Sequence, residues 1–277
     1  RKERHLAPPQ GLRRAPQGFR KHLNLRIFTP VPGTARRATL RAMRDELLAK
    51  EAPAIRTMFG RIAGRYDLLN RLLSVGRDVA WRRAVARRVA ARDPALVLDV
   101  CTGTGDLALA LAVPVVGADF CLPMLALARR KAGRRGRALP LCAADALRLP
   151  FADATVDAVT VAFGVRNFEA LDAGLRELVR VLRPGGALLV LEFARPRGPL
   201  APALGWWVRT VPPRLGRLLS GDREAYSYLP ASVSIFPEGT ALCRSLEAAG
   251  LVEVGARPLT GGVAALYEGR RPPQETP

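Results

Sequence analysis

From residue 95 onward, short apolar runs alternate along the chain with longer segments in which apolar residues recur at helical spacing. The short runs predict five strands, at 96–100, 114–119, 138–142, 156–162 and 186–193. The segments between them predict three helices, at 105–112, 122–132 and 170–182. Strands and helices that alternate in this way indicate an α/β fold, with a mostly parallel sheet and helices on both faces.

The regions on either side of this alternation have other patterns. Residues 43–91 are helical in pattern, and Asp78 is placed to cap the last of these helices at its N-terminus. Residues 199–249 are again mainly helical but are interrupted by prolines. The stretch that follows predicts two strands joined near Gly261 and Gly262, which would form a terminal antiparallel hairpin.

We therefore expect one domain over 43–270, with a helical lead-in at 43–94, a helical cap inserted at 199–249 and a short tail at 271–277. Residues 1–42 have no sustained apolar period. Their mixture of Arg, Pro and Gly is typical of a disordered basic extension. The alternative interpretation of this extension is an arm that binds nucleic acid or lipid.

The net charge is +20, and it is unevenly distributed. Residues 1–44 contain twelve Lys and Arg residues against a single acid, Glu3. Such a basic surface could face nucleic acid, anionic lipid or an acidic substrate. Aromatic residues make up only 6% of the chain and are not interleaved with the basic clusters. This argues against a stacking surface for single-stranded nucleic acid, so no nucleic-acid partner is expected.

The four cysteines form no C-x-x-C pair and no secretory signal precedes them, so we expect a cytoplasmic location. Both histidines, His5 and His22, lie in the basic extension. We therefore expect no metal site of the Cys/His kind, and the folded part cannot use a histidine base or a Ser-His-Asp relay. No uninterrupted apolar stretch reaches the ~20 residues that a spanning helix requires, so any membrane contact would be peripheral.

The stretch V-L-D-V-C-T-G-T-G-D at 97–106 joins the first predicted strand to a glycine turn. Glycines let the backbone approach a ligand closely, and a helix start offers unpaired N–H groups. Gly103, Gly105 and Ala108 also fit the dinucleotide fingerprint G-x-G-x-x-G/A. This stretch is compatible with a nucleotide-binding loop, with a dehydrogenase, or with a tight turn that binds nothing.

Carboxylates follow the next two predicted strands. Asp119 ends the second strand, where it could accept both hydroxyls of a ribose or could instead cap the helix at 122–132. Asp145 follows the third strand, where it could receive an adenine amine or be a simple turn residue. Thr104, Asp119 and Asp145 thus stand at three successive strand ends, which converge on the crevice where open α/β sheets bind ligands.

Asp99 argues against a dehydrogenase, because a dinucleotide-binding strand is normally apolar four residues before the first glycine. The chain here resembles the class I methyltransferases. It shares with them this acid, the L-x-P-G-G turn at 182–186 before the fifth strand and the terminal antiparallel hairpin. The resemblance implies the Rossmann-like fold of that class and S-adenosyl-L-methionine rather than NAD as cofactor.

A narrower resemblance covers residues 55–270. Seven stretches in order are similar to the ubiquinone/menaquinone biosynthesis C-methyltransferase family, namely M-F-G-R-I-A-G-R-Y-D-L-L-N-R-L-L-S at 58–74, L-D-V-C-T-G-T-G-D-L-A at 98–108, V-A-F-G-V-R-N-F at 161–168, V-L-R-P-G-G at 181–186, L-E-F-A-R-P at 191–196, S-G-D-R-E-A-Y-S-Y-L-P-A-S-V at 220–233 and P-L-T-G-G-V-A-A-L at 258–266. The resemblance implies methylation of a ring carbon on a polyprenylated quinol. We favour the demethylmenaquinol of menaquinone biosynthesis over a benzoquinol of the ubiquinone pathway or a soluble small molecule.

Carried over by position, the resemblance implies cofactor contacts at the glycine loop (Gly103 and Thr104) and at Asp119, Asp145 and Ala146. The chain departs from the family in two places. Ala162 stands where some members have serine, which puts a hydroxyl contact there in doubt. Ala231 stands where relatives often have glutamate, a change that we expect to matter little for the chemistry.

The methyl acceptor poses the harder chemical problem, because an aromatic carbon is a poor nucleophile until a neighbouring hydroxyl is deprotonated. Arg166 and Asn167 directly follow the fourth strand and are our candidates to stabilise a phenolate and to hold the water that takes the proton. Tyr66 and Asp67, from the helical lead-in, are candidates to close the pocket and orient that water. The alternatives are a surface ion pair for Arg166 and core packing for Tyr66.

A substrate with a prenyl tail predicts contact with a membrane. Residues 199–219 combine Trp206 and Trp207 with three arginines and many apolar residues, a composition that suits the surface of an anionic bilayer. The same segment could instead form a helical cap over the substrate cleft. The sequence leaves open whether the protein forms a homodimer.

Overall fold

The computed structural model describes residues 51–196 and 231–274 without interruption, and between them residues 201–202, 205–206, 210 and 228. All of them belong to one compact unit, Thr39–Pro277. The predicted disordered extension at 1–42, residues 43–50 of the predicted helical lead-in and most of 199–230 lie outside these residues. Where the cap region is described, residues 201–202, 205–206, 210, 228 and 231–235 are helical.

A seven-stranded sheet forms the centre of the molecule. Its strands are β1 (Val97–Val100), β2 (Val115–Asp119), β3 (Leu141–Ala143), β4 (Val156–Ala162), β5 (Leu182–Phe193), β6 (Val252–Leu259) and β7 (Ala264–Arg270). They lie in the order β3-β2-β1-β4-β5-β7-β6. The first five strands are parallel, and β7 runs antiparallel to both β5 and β6. The predicted α/β class with a C-terminal antiparallel hairpin is confirmed.

Besides the short helical stretches between residues 201 and 235, five α-helices accompany the sheet in the described residues: α1 (Ala52–Leu73), α2 (Arg77–Ala90), α3 (Leu122–Arg134), α4 (Leu171–Val181) and α5 (Thr240–Ala248). The predicted helices at 122–132 and 170–182 are therefore confirmed to within two residues at each end. None of the helices among the described residues is both long enough and apolar enough to cross a bilayer.

The helix predicted at 105–112 is wrong. The structure has only a short 3-10 turn there, Ala108–Ala110. Gly103 and Gly105 adopt left-handed backbone angles, with φ of 56° and 80°, and Leu111 is already extended, so few residues remain for a helix. Leu107 and Leu111 are buried against the sheet. The residues of this run are therefore apolar because a connecting segment is buried there, and not because they form one face of a helix.

The N-cap predicted at Asp78 is also wrong. The N-cap of α2 is Gly76, in a left-handed conformation with φ of 73°. Asp78 lies within the first turn of α2, where its carboxylate is buried and accepts hydrogen bonds from Ser74 Oγ (2.9 Å) and Arg82 Nη1 (2.5 Å). The positive end of the helix dipole stabilises an acid anywhere in the first turn, so Asp78 suits this position without being the N-cap.

The core has two layers because alternate strand residues point to opposite faces of the sheet. On one face, Leu98 and Val100 of β1 belong to the cluster that includes Leu175 of α4 and Leu242 of α5. On the other, Val97 belongs to the cluster that includes Trp81 and Val85 of α2. Burial on both faces is the normal situation of a parallel sheet and explains why the strands are nearly continuous apolar runs.

Gly174, inside α4, provides a test of this packing. A Cβ atom there would lie 2.3 Å from Cδ2 of Phe168, whose ring is buried. We expect Gly174→Ala to lower the free energy of unfolding by about 1–3 kcal/mol through overpacking. This would outweigh the gain of ~1 kcal/mol that alanine gives in a helix. Urea unfolding measures the difference.

Gly64 of α1 is the matched control, because a Cβ there meets nothing within 4 Å. Gly64→Ala should raise the free energy of unfolding, by up to about 1 kcal/mol. If both variants were stabilised equally, the close packing of Phe168 on α4 would be contradicted.

Candidate active site

A cavity opens at the carboxyl ends of β1, β2 and β4, under α1. The chain crosses from one side of the sheet to the other between β1 and β4, which is where open α/β sheets bind ligands. Four phenylalanines, Phe59, Phe120, Phe163 and Phe168, give the cavity an aromatic lining. Six of the eight predicted site residues line it together, namely Tyr66, Gly103, Asp119, Asp145, Ala146 and Asn167.

The glycine loop folds back over the end of β2. Cys101 and Gly103 both have positive φ, 54° and 56°, so the chain turns sharply as soon as β1 ends. The turn brings the N–H of Gly103 to Oδ2 of Asp119, to which it donates at 2.8 Å. Its backbone is therefore held at the floor of the cavity.

Asp119 is 7% exposed and lies at the end of β2. Its other oxygen, Oδ1, accepts from the N–H of Cys121 at 2.8 Å. Burial raises the pKa of Asp119, and the hydrogen bonds from these two amides oppose that rise. A carboxylate oxygen can accept two hydrogen bonds, so both oxygens keep capacity for ligand hydroxyls. The predicted alternative, that Asp119 caps the helix, is wrong, because the N-cap of α3 is Cys121.

Asp145 and Ala146 form the turn after β3. Oδ1 of Asp145 accepts from the N–H of Leu147 at 2.9 Å, and the carbonyl of Asp145 accepts from the N–H of Arg148. Asp145 is exposed and Ala146 is buried. The turn role that the sequence offered as an alternative is thus real, and it does not prevent a ligand role, because the same residues line the cavity.

Thr104 is not brought to the cavity. Its hydroxyl donates to Oδ1 of Asp67 at 2.6 Å and accepts from Nζ of Lys131 at 3.0 Å. Lys131 also pairs with Oδ2 of Asp67 at 2.7 Å. Thr104 and Asp67 therefore tie the glycine loop to α1, and in this structure Asp67 does not aim its carboxylate at the cavity.

This tie belongs to a charge network that the sequence interpretation missed. Lys131 Nζ donates to Oδ1 of Asp106 at 2.6 Å, and Arg82 lies 4.0 Å from the other oxygen of Asp106. Although burial raises the pKa of Asp106, the hydrogen bond and charge of Lys131 hold it below its usual value. The network joins α2, α3 and the glycine loop. The only local signal was Asp106 itself, directly after the second glycine.

Arg166 lies in a 3-10 turn after β4 and is 4% exposed, so the predicted alternative of a surface ion pair is wrong. Its Nη1 donates to Oε1 of Glu192 at 2.7 Å and to the carbonyl of Phe163 at 2.6 Å. Its guanidinium stands over the ring of Phe193 at 5.3 Å. Glu192, on β5, is fully buried, so a complete ion pair sits in the interior behind the cavity.

Two tyrosines face this ion pair. Burial raises the pKa of Tyr228 to about 12, against the lowering effect of the Arg166 charge. Burial also raises the pKa of Tyr66, although Arg166 and a hydrogen bond with Asn70 lower it. Both phenols therefore stay protonated at neutral pH. The hydroxyl of Tyr228 donates to Oδ1 of Asn167 at 2.8 Å, which fixes the side chain that lines the cavity.

The guanidinium of Arg166 has one unused donor. Among the residues that the structure describes, its Nε is the only fully buried side-chain nitrogen or oxygen without a hydrogen-bond partner. Sequence reasoning did not single out Glu192 or Tyr228. A signal existed for Glu192, since an acid within the apolar run L-L-V-L-E-F of β5 must be buried and needs a partner.

Asp99 anchors the loop from beneath. It is 1% exposed, and its two oxygens accept from Oγ1 of Thr102 and Oγ1 of Thr160, each at 2.7 Å. Thr160 lies directly across from Asp99 on β4, so the acid joins the loop to the neighbouring strand. Burial raises the pKa of Asp99 to about 6 against the lowering effect of both hydroxyls.

Cys101 does not provide a nucleophile for covalent catalysis. Burial, together with the nearby carboxylates of Asp119 and Asp99, raises the pKa of its thiol well above the ordinary value. The thiol is therefore neutral at physiological pH, and the reactive thiolate form is disfavoured. In the described part of the chain no three metal-ligating side chains cluster together.

The lining of this cavity offers carboxylates suited to the hydroxyls and amine of a nucleoside, and phenylalanines suited to an aromatic ring. The family model of the ubiE/COQ5 methyltransferase family matches residues 47–271. The chain belongs to this family. The predicted family, the methyltransferase activity and the methyl donor S-adenosyl-L-methionine are thereby confirmed.

Two relatives of this methyltransferase align with it over nearly all of their own length. A protein of Thermus thermophilus named demethylmenaquinone methyltransferase is 51% identical over 78% of this chain and 100% of its own. A protein of Deinococcus radiodurans with the same name is 48% identical over 78% of this chain and 92% of its own. Both alignments exceed 220 residues.

Among solved structures, the methyltransferase is similar to a SAM-dependent methyltransferase of Thermotoga maritima that is described as a possible histamine N-methyltransferase. The TM-score is 0.55 at 18% identity, and the match covers 78% of this chain and 99% of the other. At this identity the likeness concerns the fold alone.

The raised pKa of Asp99 predicts a pH dependence of the stability of the methyltransferase. Well below pH 4 the carboxyl is protonated in both the folded and the unfolded state. As the pH rises towards 6 the unfolded chain releases the proton first, so the folded state loses stability. The free energy of unfolding of the wild type, minus that of Asp99→Asn, should therefore fall by about 2 kcal/mol between pH 4 and pH 7. Urea unfolding of both proteins across this range measures it.

Asparagine does not titrate here, and its amide can still accept from one threonine, so the subtraction isolates the single carboxyl. A difference that stays constant or grows with pH would contradict the raised pKa.

Proposed function

We propose that this methyltransferase transfers the methyl group of S-adenosyl-L-methionine to a ring carbon of demethylmenaquinol and so forms menaquinol. The observation that carries the proposal is the similarity to the two demethylmenaquinone methyltransferases, at 51% and 48% identity. The match to the family model, over residues 47–271, includes every residue that lines the cavity. The aromatic lining by Phe59, Phe120, Phe163 and Phe168 supports a flat, apolar ring system as the second ligand.

The residues at the strand ends fit the donor. Asp119 offers a buried carboxylate with free lone pairs to a pair of ribose hydroxyls, and the backbone of Gly103 lies beside it. Ala146 and Asp145 provide an apolar surface and a polar edge for adenine. When bound, the donor supplies an electrophilic sulfonium methyl. Thr104 remains a predicted contact, and its hydroxyl would first have to leave Asp67.

The acceptor ring is activated by loss of a phenol proton, since a phenolate raises the electron density of the adjacent ring carbon. The guanidinium of Arg166 stays protonated in the interior because it pairs with the carboxylate of Glu192 at 2.7 Å. In this structure Arg166 does not itself line the cavity. We assign it the role of stabilising the phenolate through its positive charge. Asn167 and Tyr66, which do line the cavity, would hold the phenol oxygen and the water that receives the ring proton.

Peripheral attachment to the membrane is also part of the proposal, because the substrate has a polyprenyl tail. Trp206 of the predicted interfacial segment is 61% exposed, which supports this role. Most of that segment lies outside the described residues. A cytoplasmic location and a homodimer remain predictions.

The substrate assignment is tested with the purified chain, S-adenosyl-L-methionine and chemically reduced quinols. We expect mass spectrometry to detect a gain of one methyl group on demethylmenaquinol, and little or none on the benzoquinol of the ubiquinone pathway or on catechol. Preferred methylation of the benzoquinol would contradict the proposal and assign the protein to the ubiquinone pathway. Methylation of catechol alone would favour the class that acts on soluble small molecules.

The role of Arg166 requires a variant that leaves no unpaired buried charge. Removing Arg166 alone would strand the carboxylate of Glu192 in the interior, which typically costs about 3–5 kcal/mol. We therefore combine Arg166→Gln with Glu192→Gln. We expect turnover to fall about 100-fold or more, while affinity for S-adenosylhomocysteine, measured by calorimetry, changes little, because the charge acts on the acceptor.

The control is the same pair of changes at Arg180 and Glu177, an ion pair at 2.8 Å on α4 away from the cavity. Arg180→Gln with Glu177→Gln should leave turnover near the wild-type value. Equal losses of turnover and of affinity in the Arg166 variant would contradict the assigned role.

A further inference from the structure

Three large apolar side chains stand on the outer face of α1 and just after its end. Leu68, Leu72 and Val75 are 56%, 40% and 68% exposed. Leu68 and Leu72 lie four residues apart and share one face of α1, with Arg71 beside them, and Val75 follows two residues after α1 ends. We call these three side chains the apolar stripe. Large apolar side chains that are exposed close together on a surface indicate that the surface makes contact with another molecule.

A cationic cleft of about 360 Å³ adjoins this stripe through Arg71. Three further arginines line it, Arg82, Arg83 and Arg135, and the only acid in the lining is Asp106. That acid is already engaged by Lys131 at 2.6 Å. Arg83 and Arg135 are exposed and, within the described residues, pair with no carboxylate. Arg71 and Arg82 pair with Asp78, at 3.2 and 2.5 Å, so among the described residues the unpaired positive charge that the cleft directs at solvent is that of Arg83 and Arg135.

The stripe and the cleft lie at the corner where α1 meets α2. Between residues 61 and 83 the sequence has six arginines against two aspartates. The opposite face of α1 lines the active-site cavity through Phe59 and Tyr66. An α-helix is about 10–12 Å across with its side chains, so whatever binds the outer face lies about one helix diameter from the cavity.

We propose that this α1–α2 corner, formed by Leu68, Leu72, Val75 and the arginines of the cleft, docks the protein onto an anionic phospholipid bilayer. The three apolar side chains enter the boundary between headgroups and acyl chains, and the cleft takes a lipid phosphate. Apolar side chains flanked by arginines are the composition of a surface that lies in such an interface. The inference rests on the proposed function in that its quinol substrate resides in the bilayer.

Charge complementarity selects this occupant. A nucleic acid would be attracted by the arginines but would leave the apolar stripe in water. An acidic protein would need a complementary apolar patch of its own, whereas a bilayer of anionic lipid offers phosphates and an apolar interior side by side.

The test is flotation of the full chain with vesicles of phosphatidylcholine, alone or with 30% phosphatidylglycerol. In Leu68→Ser with Leu72→Ser the stripe is removed, and in Arg83→Gln with Arg135→Gln the cleft loses two charges. We expect each pair to lower partitioning onto the anionic vesicles at least tenfold. Wild-type protein should bind phosphatidylcholine alone far more weakly.

Matched controls remove the same properties elsewhere. Ile235 and Val252 are 56% and 42% exposed, close to the values of Leu68 and Leu72, so Ile235→Ser with Val252→Ser controls for lost apolar surface. Arg176→Gln with Arg257→Gln lowers the net charge by the same amount at exposed positions. Both controls should partition within twofold of the wild type. Thermal unfolding checks that all variants fold.

The proposal is overturned if the wild type does not float with anionic vesicles, or if the controls lose as much binding as the corner variants. It is also overturned if the corner variants bind vesicles normally, since the basic extension or the segment at 199–219 would then account for binding. Loss of binding to duplex DNA without loss of vesicle binding would instead identify a nucleic-acid surface.

Failure of this inference is distinguishable from failure of the proposed function. Demethylmenaquinol with a short, detergent-dispersed tail should be methylated equally by the wild type and the corner variants. The same variants should lose at least tenfold in rate on the long-chain quinol embedded in anionic vesicles. Methylation of the dispersed substrate without vesicle binding overturns only the docking surface. Vesicle binding through the corner without methylation of either substrate overturns only the function.

Discussion

Two buried carboxylates hold the glycine loop against the sheet, and the rest of the site depends on this constraint. Asp99 binds the hydroxyls of Thr102 and Thr160 from beneath, and Asp119 binds the N–H of Gly103 from the side. The loop is thereby fixed to three neighbouring strands. Its backbone can face a ligand without rearrangement because the cost of ordering it is met when the protein folds.

The charged interior behind the cavity is a second constraint of the same kind. Arg166 and Glu192 are both almost completely buried, so each charge is tolerated only because the other is present. The pair sets the local potential felt by Tyr66 and Tyr228, and Tyr228 in turn orients Asn167 at the cavity. No histidine follows residue 22, and it is this fixed positive charge to which we assign the role of favouring a phenolate.

The helix α1 connects these constraints to the surroundings of the protein. Asp67 ties it to the glycine loop, and Tyr66 and Phe59 form part of the cavity wall. Its outer face has the apolar stripe and the arginines that we assign to a bilayer. A single helix would thus separate the lipid from the donor site, which gives a lipid-embedded quinol a short route to the sulfonium methyl.

The sequence by itself determined the α/β class, the terminal hairpin, the glycine loop and the acids at the strand ends, because each depends on residues close together in the chain. Its motifs, taken in order along the chain, identified the family. It predicted six of the residues that line the cavity. Gly103, Asp119, Asp145 and Asn167 follow strands, and parallel strands bring their carboxyl ends to one edge. Ala146 was implied by the resemblance to the family, and Tyr66 was a candidate from the helical lead-in. It misplaced the helix at 105–112, because burial and helical periodicity look alike in a short apolar run. Only the tertiary structure decided that Arg166 pairs with Glu192, 26 residues away, that Tyr228 holds Asn167 across 61 residues, and that Thr104 faces Asp67. Such contacts arise from how the elements pack, and the periodicity of side chains along the chain does not predict which distant residues will meet.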